Sequence, residues 1–199
     1  MPIELVLASA SAARAQLLHQ AGLSFRVDPA AIDEGALKRR AREHGNSAAA
    51  CALALAAAKA EAGSRRNPGA LVIGADQMLV AGDDWYDKPP DLAAARQQLQ
   101  SLRGRTHELV TAVGVAQDGA MLWHAVDRPR LTMREFSDAF LDVYIAAEGE
   151  TLLGSVGAYR LEGRGVQLFS GISGDYFAVL GLPLLELLGF LRRFGALQD

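Results

Sequence analysis

Residues 71–80, around which we expect the fold to be organised, are Leu71-Val72-Ile73-Gly74-Ala75-Asp76-Gln77-Met78-Leu79-Val80. Its apolar residues are of the types that form buried strands, so we predict a central strand here. Asp76 interrupts the run, and its apolar neighbours on both sides predict that the carboxylate is held on a rigid scaffold. The alternative is a bend at Gly74 and Asp76 between two strands, which is the commoner role of such a pair.

A lysine follows the central stretch after one short connection, in Asp87-Lys88-Pro89-Pro90. A fixed carboxylate near fixed cations is the arrangement that metal-assisted phosphoryl chemistry requires. Lys88 is therefore a candidate partner of Asp76.

The composition limits the classes of protein to consider. The 199 residues are half apolar, enough for a real core, and we predict one domain over residues 1–199. A net charge of -3 gives no general field for polyanions, which disfavours nucleic acid as a partner. The single cysteine, Cys51, excludes an intramolecular disulfide. The four histidines lack metal-ligand spacing, so we interpret them as structural or surface residues.

The ends of the sequence predict a soluble, cytoplasmic protein. The N-terminus lacks the features of a secretion signal. The most apolar segment, residues 178–191, contains Pro183 and Glu186 and is too short to span a bilayer. We therefore expect no membrane partner, and we keep a homodimer open as the quaternary state.

The N-terminal residues predict a strand, a tight turn and a helix. Residues 3–8 are typical of a strand, and Ser9-Ala10-Ser11 leads into a helix that Gly22 ends. A helix N-terminus presents unpaired N–H groups and a partial positive charge, so Ser9, Ser11 and Arg14 could hold a phosphate. Alternatively, Ser11 is only an N-cap.

The remaining patterns alternate between helix and strand. Asp33 and Glu34 precede a basic helix, and adjacent acids there commonly complement the helix dipole. The glycine-rich residues 154–165, which include Tyr159 and Glu162, predict a loop that approaches a ligand or merely connects two elements. We predict strands near residues 25–27, 107–116, 121–126, 130–132 and 166–172, and helices over residues 37–44, 47–63, 92–102, 138–147 and from Pro183 onward.

The motifs, taken in order, resemble the Maf family of septum-formation-inhibitor proteins, nucleoside triphosphate pyrophosphatases with an ITPase-like fold. The resemblance covers essentially the whole chain, and only the ordered set of motifs is specific. The matching motifs are Leu7-Ala8-Ser9-x-Ser11-x-x-Arg14, Asp33-Glu34, Lys59-Ala60, Ile73-Gly74-Ala75-Asp76, Lys88-Pro89, Gly104-Arg105-Thr106-His107, Gly157-Ala158-Tyr159, Gly174-Asp175-Tyr176 and Gly181-Leu182-Pro183.

The resemblance implies an α/β fold, with a curved mixed sheet flanked by helices in two lobes around a central cleft. It implies hydrolysis of a nucleoside triphosphate between the α and β phosphates, releasing a monophosphate and pyrophosphate. Asp76 then matches the catalytic acid, and Glu34 matches an acid associated with the metal. Oxygen ligands such as Glu34 and Asp76 favour Mg²⁺ or Mn²⁺, and either acid could orient or deprotonate the attacking water. The phosphate-binding set would be Ser9, Arg14, Lys59 and Lys88.

Two further positions concern the base. Gln77 and Glu162 resemble the Maf members that favour 7-methyl-GTP, because members acting on dTTP and UTP carry a hydroxyl residue and a glutamine there. An ionised Glu162 accepts hydrogen bonds and so suits the two adjacent donors of guanine. The alternative is that Glu162 only pairs with Arg160 or Arg164 on the surface. The chain departs from the family at Ala12-Ala13, where many members have Pro-Arg and the 7-methyl-GTP members an aromatic residue at the second position.

Two rival functions come from other classes of protein. The first is a regulator of cell division that binds a nucleotide or a protein partner without turnover, which the family name suggests. The second is a nucleic-acid-binding module, which the acidic charge balance and the lack of a basic stripe with interleaved aromatics disfavour.

Overall fold

The central stretch forms one unbroken strand, β3 (Leu71–Ala81), in a computed structural model that describes residues 3–198. The bend considered at Gly74 and Asp76 is therefore wrong. Gly74 serves close packing instead, since a Cβ there would lie 2.3 Å from the Ala56 carbonyl oxygen and 2.5 Å from the Ala60 nitrogen. Without a side chain at Gly74, the backbone of the neighbouring helix packs directly on the strand.

The described chain is a mixed α/β fold with helices against the sheet, which confirms the predicted fold class. The strands are β1 (Leu5–Leu7), β2 (Arg26–Val27), β3, β4 (Asp84–Tyr86), β5 (Thr106–Gln117), β6 (Ala120–Asp127), β7 (Arg130–Met133) and β8 (Phe169–Ser173). The helices are α1 (Ala12–Gln20), α2 (Glu34–Glu43), α3 (Ala48–Arg66), α4 (Leu92–Leu102), α5 (Asp138–Glu148), α6 (Tyr176–Val179) and α7 (Leu184–Arg193).

The chain forms two compact units, to both of which β3 and β5 contribute residues. The first unit contains the described residues up to Gln77, Thr111–Asp127 and the chain from Asp175 onward. Its strand order is β2-β1-β3-β5-β6, with β1 parallel to β2 and β3, and β5 antiparallel to β6. This combination of parallel and antiparallel pairs makes the sheet mixed.

Helices pack on both faces of β3 in the first unit. Because successive strand residues point to opposite faces, Ile73 and Ala75 join a buried cluster that includes residues of α1 and α7. Val72 and Gly74 face the other way and contact α3, where Gly63 and Ala56 give room for close approach. Asp76 shares this second face, so the strand period brings the carboxylate toward α3.

The second unit comprises Met78–Val110 and Arg128–Gly174. In it β3 pairs with β4, β5 with β7, and β7 with β8, all antiparallel. The glycine-rich residues 154–165 form a succession of turns. They include the end of the 3₁₀ helix Gly149–Gly154, the 3₁₀ helix Val156–Ala158, a turn at 161–163 and the start of the 3₁₀ helix Arg164–Leu168.

Several predicted boundaries were wrong for identifiable reasons. α3 continues past Gly63 to Arg66, because a Cβ at Gly63 would lie 2.8 Å from Val72 Cγ1, so this glycine serves packing rather than termination. α2 begins at Glu34, earlier than predicted, since the Asp33 side chain caps it through the Ala36 N–H. β8 begins only at Phe169.

Candidate active site

Asp76, Lys59 and Glu34 form an ion cluster in the first unit. Lys59 Nζ lies 2.7 Å from Asp76 Oδ1 and 2.7 Å from Glu34 Oε1. Asp76 and Lys59 are buried, with 6% and 7% of their surface exposed, whereas the Glu34 side chain is 48% exposed. The cluster therefore runs from a buried ion pair on β3 and α3 to a carboxylate at the surface.

The local sequence explains why these three side chains meet. Lys59 precedes Ala60, whose backbone nitrogen lies against Gly74, so the close packing of α3 on β3 delivers the ammonium to Asp76. Asp33 takes the capping role at the start of α2. The adjacent acids thus divide their functions, because Glu34 extends to Lys59.

Arg14 is the second buried cation of the first unit. Its Nη1 donates to Ser9 Oγ at 3.0 Å and to the Ala75 carbonyl at 2.9 Å, and its Nε donates to the Gly181 carbonyl at 2.8 Å. Burial lowers the pKa of Arg14, while Asp76 and Glu34 act in the opposite direction by favouring the charged form. Three of its five N–H groups are engaged, and within residues 3–198 the two on Nη2 form no hydrogen bond.

The two N-terminal serines have different roles. Ser11 is the N-cap of α1, and its Oγ accepts from the Arg14 backbone N–H. Ser9 is buried, and its Oγ accepts from the Arg14 side chain and from the Ser11 backbone N–H at 3.3 Å. Ser9 can still donate its hydroxyl proton to a phosphate oxygen.

Gln77 lies next to the ion cluster in sequence, and its amide nitrogen is engaged within the protein. Nε2 lies 2.9 Å from Thr111 Oγ1, 2.9 Å from the Ala178 carbonyl and 3.1 Å from the Val179 carbonyl. No local pattern predicts this arrangement, since Thr111 is one residue of an apolar strand and the sequence does not predict α6.

The other two predicted site residues belong to the second unit. Lys88 is exposed and follows β4. Glu162 is exposed, and its Oε1 lies 3.3 Å from Arg160 Nε, the surface pair considered as the alternative for this residue.

A buried polar pair in the second unit was not predicted. His107 Nε2 and the Tyr159 hydroxyl lie 2.7 Å apart, and Phe169 contacts both rings. Burial lowers the pKa of His107 to about 4 and raises that of Tyr159, so both are neutral at pH 7. Within residues 3–198, His107 Nδ1 has no hydrogen-bond partner.

Glu34 and Asp76 are the candidate ligands for a divalent metal ion. Residues 3–198 contain no group of three or more His, Cys, Asp or Glu side chains suited to hold a metal. Glu34 and Asp76 nevertheless converge on one point, at Lys59 Nζ. Mg²⁺ is commonly bound by one or two carboxylates together with substrate phosphates and water. The two carboxylates are thus of the type that Mg²⁺ takes, and in this structure their point of convergence holds the Lys59 ammonium.

This site lies in a chain that belongs to the Maf-like protein family, whose profile matches residues 4–194. The resemblance inferred from the motifs is thereby confirmed. A Granulibacter bethesdensis protein named nucleoside triphosphate pyrophosphatase is 56% identical, covering 98% of this chain and 99% of the relative. A Brucella abortus protein named 7-methyl-GTP pyrophosphatase is 49% identical, covering 97% of each.

A solved structure of a nucleoside-triphosphatase, or dITP/XTP pyrophosphatase, from Mycobacterium abscessus is 14% identical and covers 96% of this chain and 94% of its own. The TM-score of this match is 0.45. Within residues 3–198, no helix combines the length and the apolar character needed to cross a membrane.

Proposed function

We propose that this protein hydrolyses a nucleoside triphosphate between the α and β phosphates, giving a monophosphate and pyrophosphate, with a preference for a guanine-type base such as 7-methylguanine. The observation that carries the proposal is the buried Asp76–Lys59 pair, joined to Glu34. A buried ion pair costs desolvation energy and is weak evidence for stability, so its presence beside a second buried cation, Arg14, favours a chemical role. The full-length relatives named as pyrophosphatases support the reaction.

The phosphates would be held by groups that remain available. Arg14 offers its two Nη2 N–H groups, and Ser9 offers its hydroxyl proton. Lys59 has three donor protons, two of which face carboxylates. Lys88 is included because it matches the family motif. Together these cations offset the charge of a polyphosphate and the charge that develops on departing pyrophosphate.

Asp76 would handle the proton of the attacking water. Its Oδ1 is bound to Lys59, while Oδ2 forms no hydrogen bond within residues 3–198. We propose that Oδ2 accepts the proton as the water oxygen bonds to phosphorus and the anhydride bond breaks. Glu34 and Asp76 would hold Mg²⁺ or Mn²⁺, which, when bound, spreads the negative charge of the phosphates.

The test is a pyrophosphate-release assay over a panel of nucleoside triphosphates with and without Mg²⁺. We expect pyrophosphate and monophosphate from at least one substrate, and no turnover after chelation. Orthophosphate and a diphosphate as products would show that the assignment of the cleaved bond is wrong. Tight nucleotide binding with no turnover in any metal would instead favour the regulator.

The base preference rests on Glu162, whose carboxylate suits the adjacent N1–H and N2 donors of guanine. Uracil and thymine present one donor between two acceptors, and a paired contact discriminates by about 1–3 kcal/mol. We expect wild type to prefer 7-methyl-GTP or GTP over UTP and dTTP, and Glu162→Gln to reduce that preference. Arg160→Gln is the matched control, because it removes the surface pair and leaves the carboxylate. An unchanged ranking in Glu162→Gln would remove Glu162 from the base site.

A further inference from the structure

Residues 175–181 form a turn around α6, which we call the 175–181 turn, and polar side chains from the sheet hold its centre. The Ala178 carbonyl accepts from Thr111 Oγ1 at 2.9 Å, from Gln77 Nε2 at 2.9 Å and from the Gly181 backbone N–H at 3.0 Å. Gln77 also reaches the Val179 carbonyl. The Ala178 carbonyl oxygen therefore accepts three hydrogen bonds, two from side chains of the sheet and one from within the turn.

The far end of the same turn orients Arg14. The Gly181 carbonyl accepts from Arg14 Nε at 2.8 Å. Gly181 has a φ of +104°, a conformation that residues with side chains rarely adopt. Because the N–H of Gly181 binds Ala178 and its carbonyl binds Arg14, a displacement at Ala178 passes directly to the guanidinium.

The donor capacity of Gln77 is already used within the protein. An amide nitrogen carries two hydrogens, and Nε2 of Gln77 has three acceptors within 3.1 Å. Thr111 is completely buried, so it cannot touch a nucleotide. Both residues nevertheless act on the same carbonyl.

We propose that Gln77 and Thr111 are positioning residues that fix the 175–181 turn, so that the Gly181 carbonyl aims the Arg14 Nη2 groups at the substrate phosphates. This rests on the phosphate-binding role of Arg14 in the proposed function. Thr111, which is completely buried, then acts on every nucleotide alike, since all carry the same phosphates.

The experiment compares Thr111→Val and Gln77→Met with wild type. Each removes donors to Ala178, and net hydrogen-bond contributions correspond to a rise in KM of about three- to tenfold. For Thr111→Val we expect this rise for 7-methyl-GTP, GTP and UTP in parallel, with the substrate ranking kept. Thr111→Ser should restore the wild-type KM. Thr106→Val is the matched control on β5, because its hydroxyl pairs with Thr132 instead.

A double-mutant comparison isolates the route through Arg14. In an Arg14→Ala background, Thr111→Val should have no further effect on KM, because the group it positions is gone. Additive effects would overturn the proposal, as would a Gln77→Met protein with an altered ranking beside a Thr111→Val protein with unchanged KM. Thermal unfolding of each variant confirms that the folded protein is compared.

Affinities for an α,β-methylene analogue of GTP keep this inference separate from the proposed function. A wild type that binds the analogue but releases no pyrophosphate would contradict the proposed reaction alone. The positioning role still predicts weaker analogue binding in Thr111→Val and Gln77→Met. Unchanged affinity in both variants would contradict it.

Discussion

The Lys59–Asp76 pair of the first unit and the His107–Tyr159 pair of the second are both buried, but they differ in charge. In the first unit, Lys59 and Asp76 are ionisable partners 2.7 Å apart, extended to the exposed carboxylate of Glu34. In the second, His107 and Tyr159 are also 2.7 Å apart, but burial keeps both neutral and aromatic rings enclose them. A charged pair that reaches the surface suits chemistry, whereas a neutral enclosed pair suits stability.

The largest expected loss of stability, and one that sharpens this contrast, is that of Lys59→Ala, because Asp76 would be left buried without its partner. We predict a loss of about 3–5 kcal/mol in unfolding free energy and a fall in kcat of roughly 10²- to 10³-fold.

Lys88→Ala is the matched control for this prediction, since Lys88 is an exposed candidate for the same phosphates. It should lower turnover while the unfolding free energy stays unchanged. Denaturant titration and pyrophosphate release measure the two quantities. Wild-type turnover in Lys59→Ala would break the link between the charged pair and the reaction.

The second prediction concerns how the stability of the protein depends on pH through His107, a member of the neutral His107–Tyr159 pair. Folded His107 takes up a proton only near pH 4, whereas in the unfolded chain its pKa is near 6.5. Between these values the unfolded state binds more protons, so stability falls as pH falls from 6.5 to 4. The contribution of His107 to this loss is about 3 kcal/mol.

Urea titrations at pH 7 and pH 4.5 of wild type and His107→Gln measure this loss. The variant cannot take up the proton, so its stability should depend less on pH over the same window. Equal pH dependence in the two proteins would show that His107 is accessible to protons in the fold.

The smallest expected effect is that of Tyr159→Phe, which removes one hydroxyl and keeps the ring contact with Phe169. It should lower the unfolding free energy by about 1–3 kcal/mol, because His107 Nε2 loses its partner. We expect kcat within twofold of wild type, measured by pyrophosphate release. A tenfold fall in kcat with unchanged stability would give the second pair a catalytic function.

The sequence predicted the parts of the site that depend on local pattern. An apolar run with one carboxylate predicted β3 and the rigid position of Asp76, and a serine before a helical pattern predicted the cap at Ser11. The family motifs added Lys59, Glu34 and Arg14, which the structure brings into one unit.

Long-range packing decided the features that the sequence did not predict. Glycine often ends a helix, but Gly63 lies inside α3. A glycine is required there because Val72 leaves no room for a side chain. The engagement of Gln77 by Thr111 and Ala178 joins residues far apart in the chain, which no local spacing encodes. The sequence predicts for His107 only the role of an ordinary structural or surface histidine, because its partner, Tyr159, lies 52 residues away.

The most direct test of the central claim is the turnover of Asp76→Asn, measured beside its thermal unfolding. Asparagine keeps the shape of the side chain but cannot accept the proton of the attacking water. With Mg²⁺ and a preferred substrate, we predict that kcat falls by roughly 10²- to 10⁴-fold while the protein stays folded. Asp33→Asn is the control, since asparagine also caps α2. A folded Asp76→Asn protein with wild-type kcat would contradict the account.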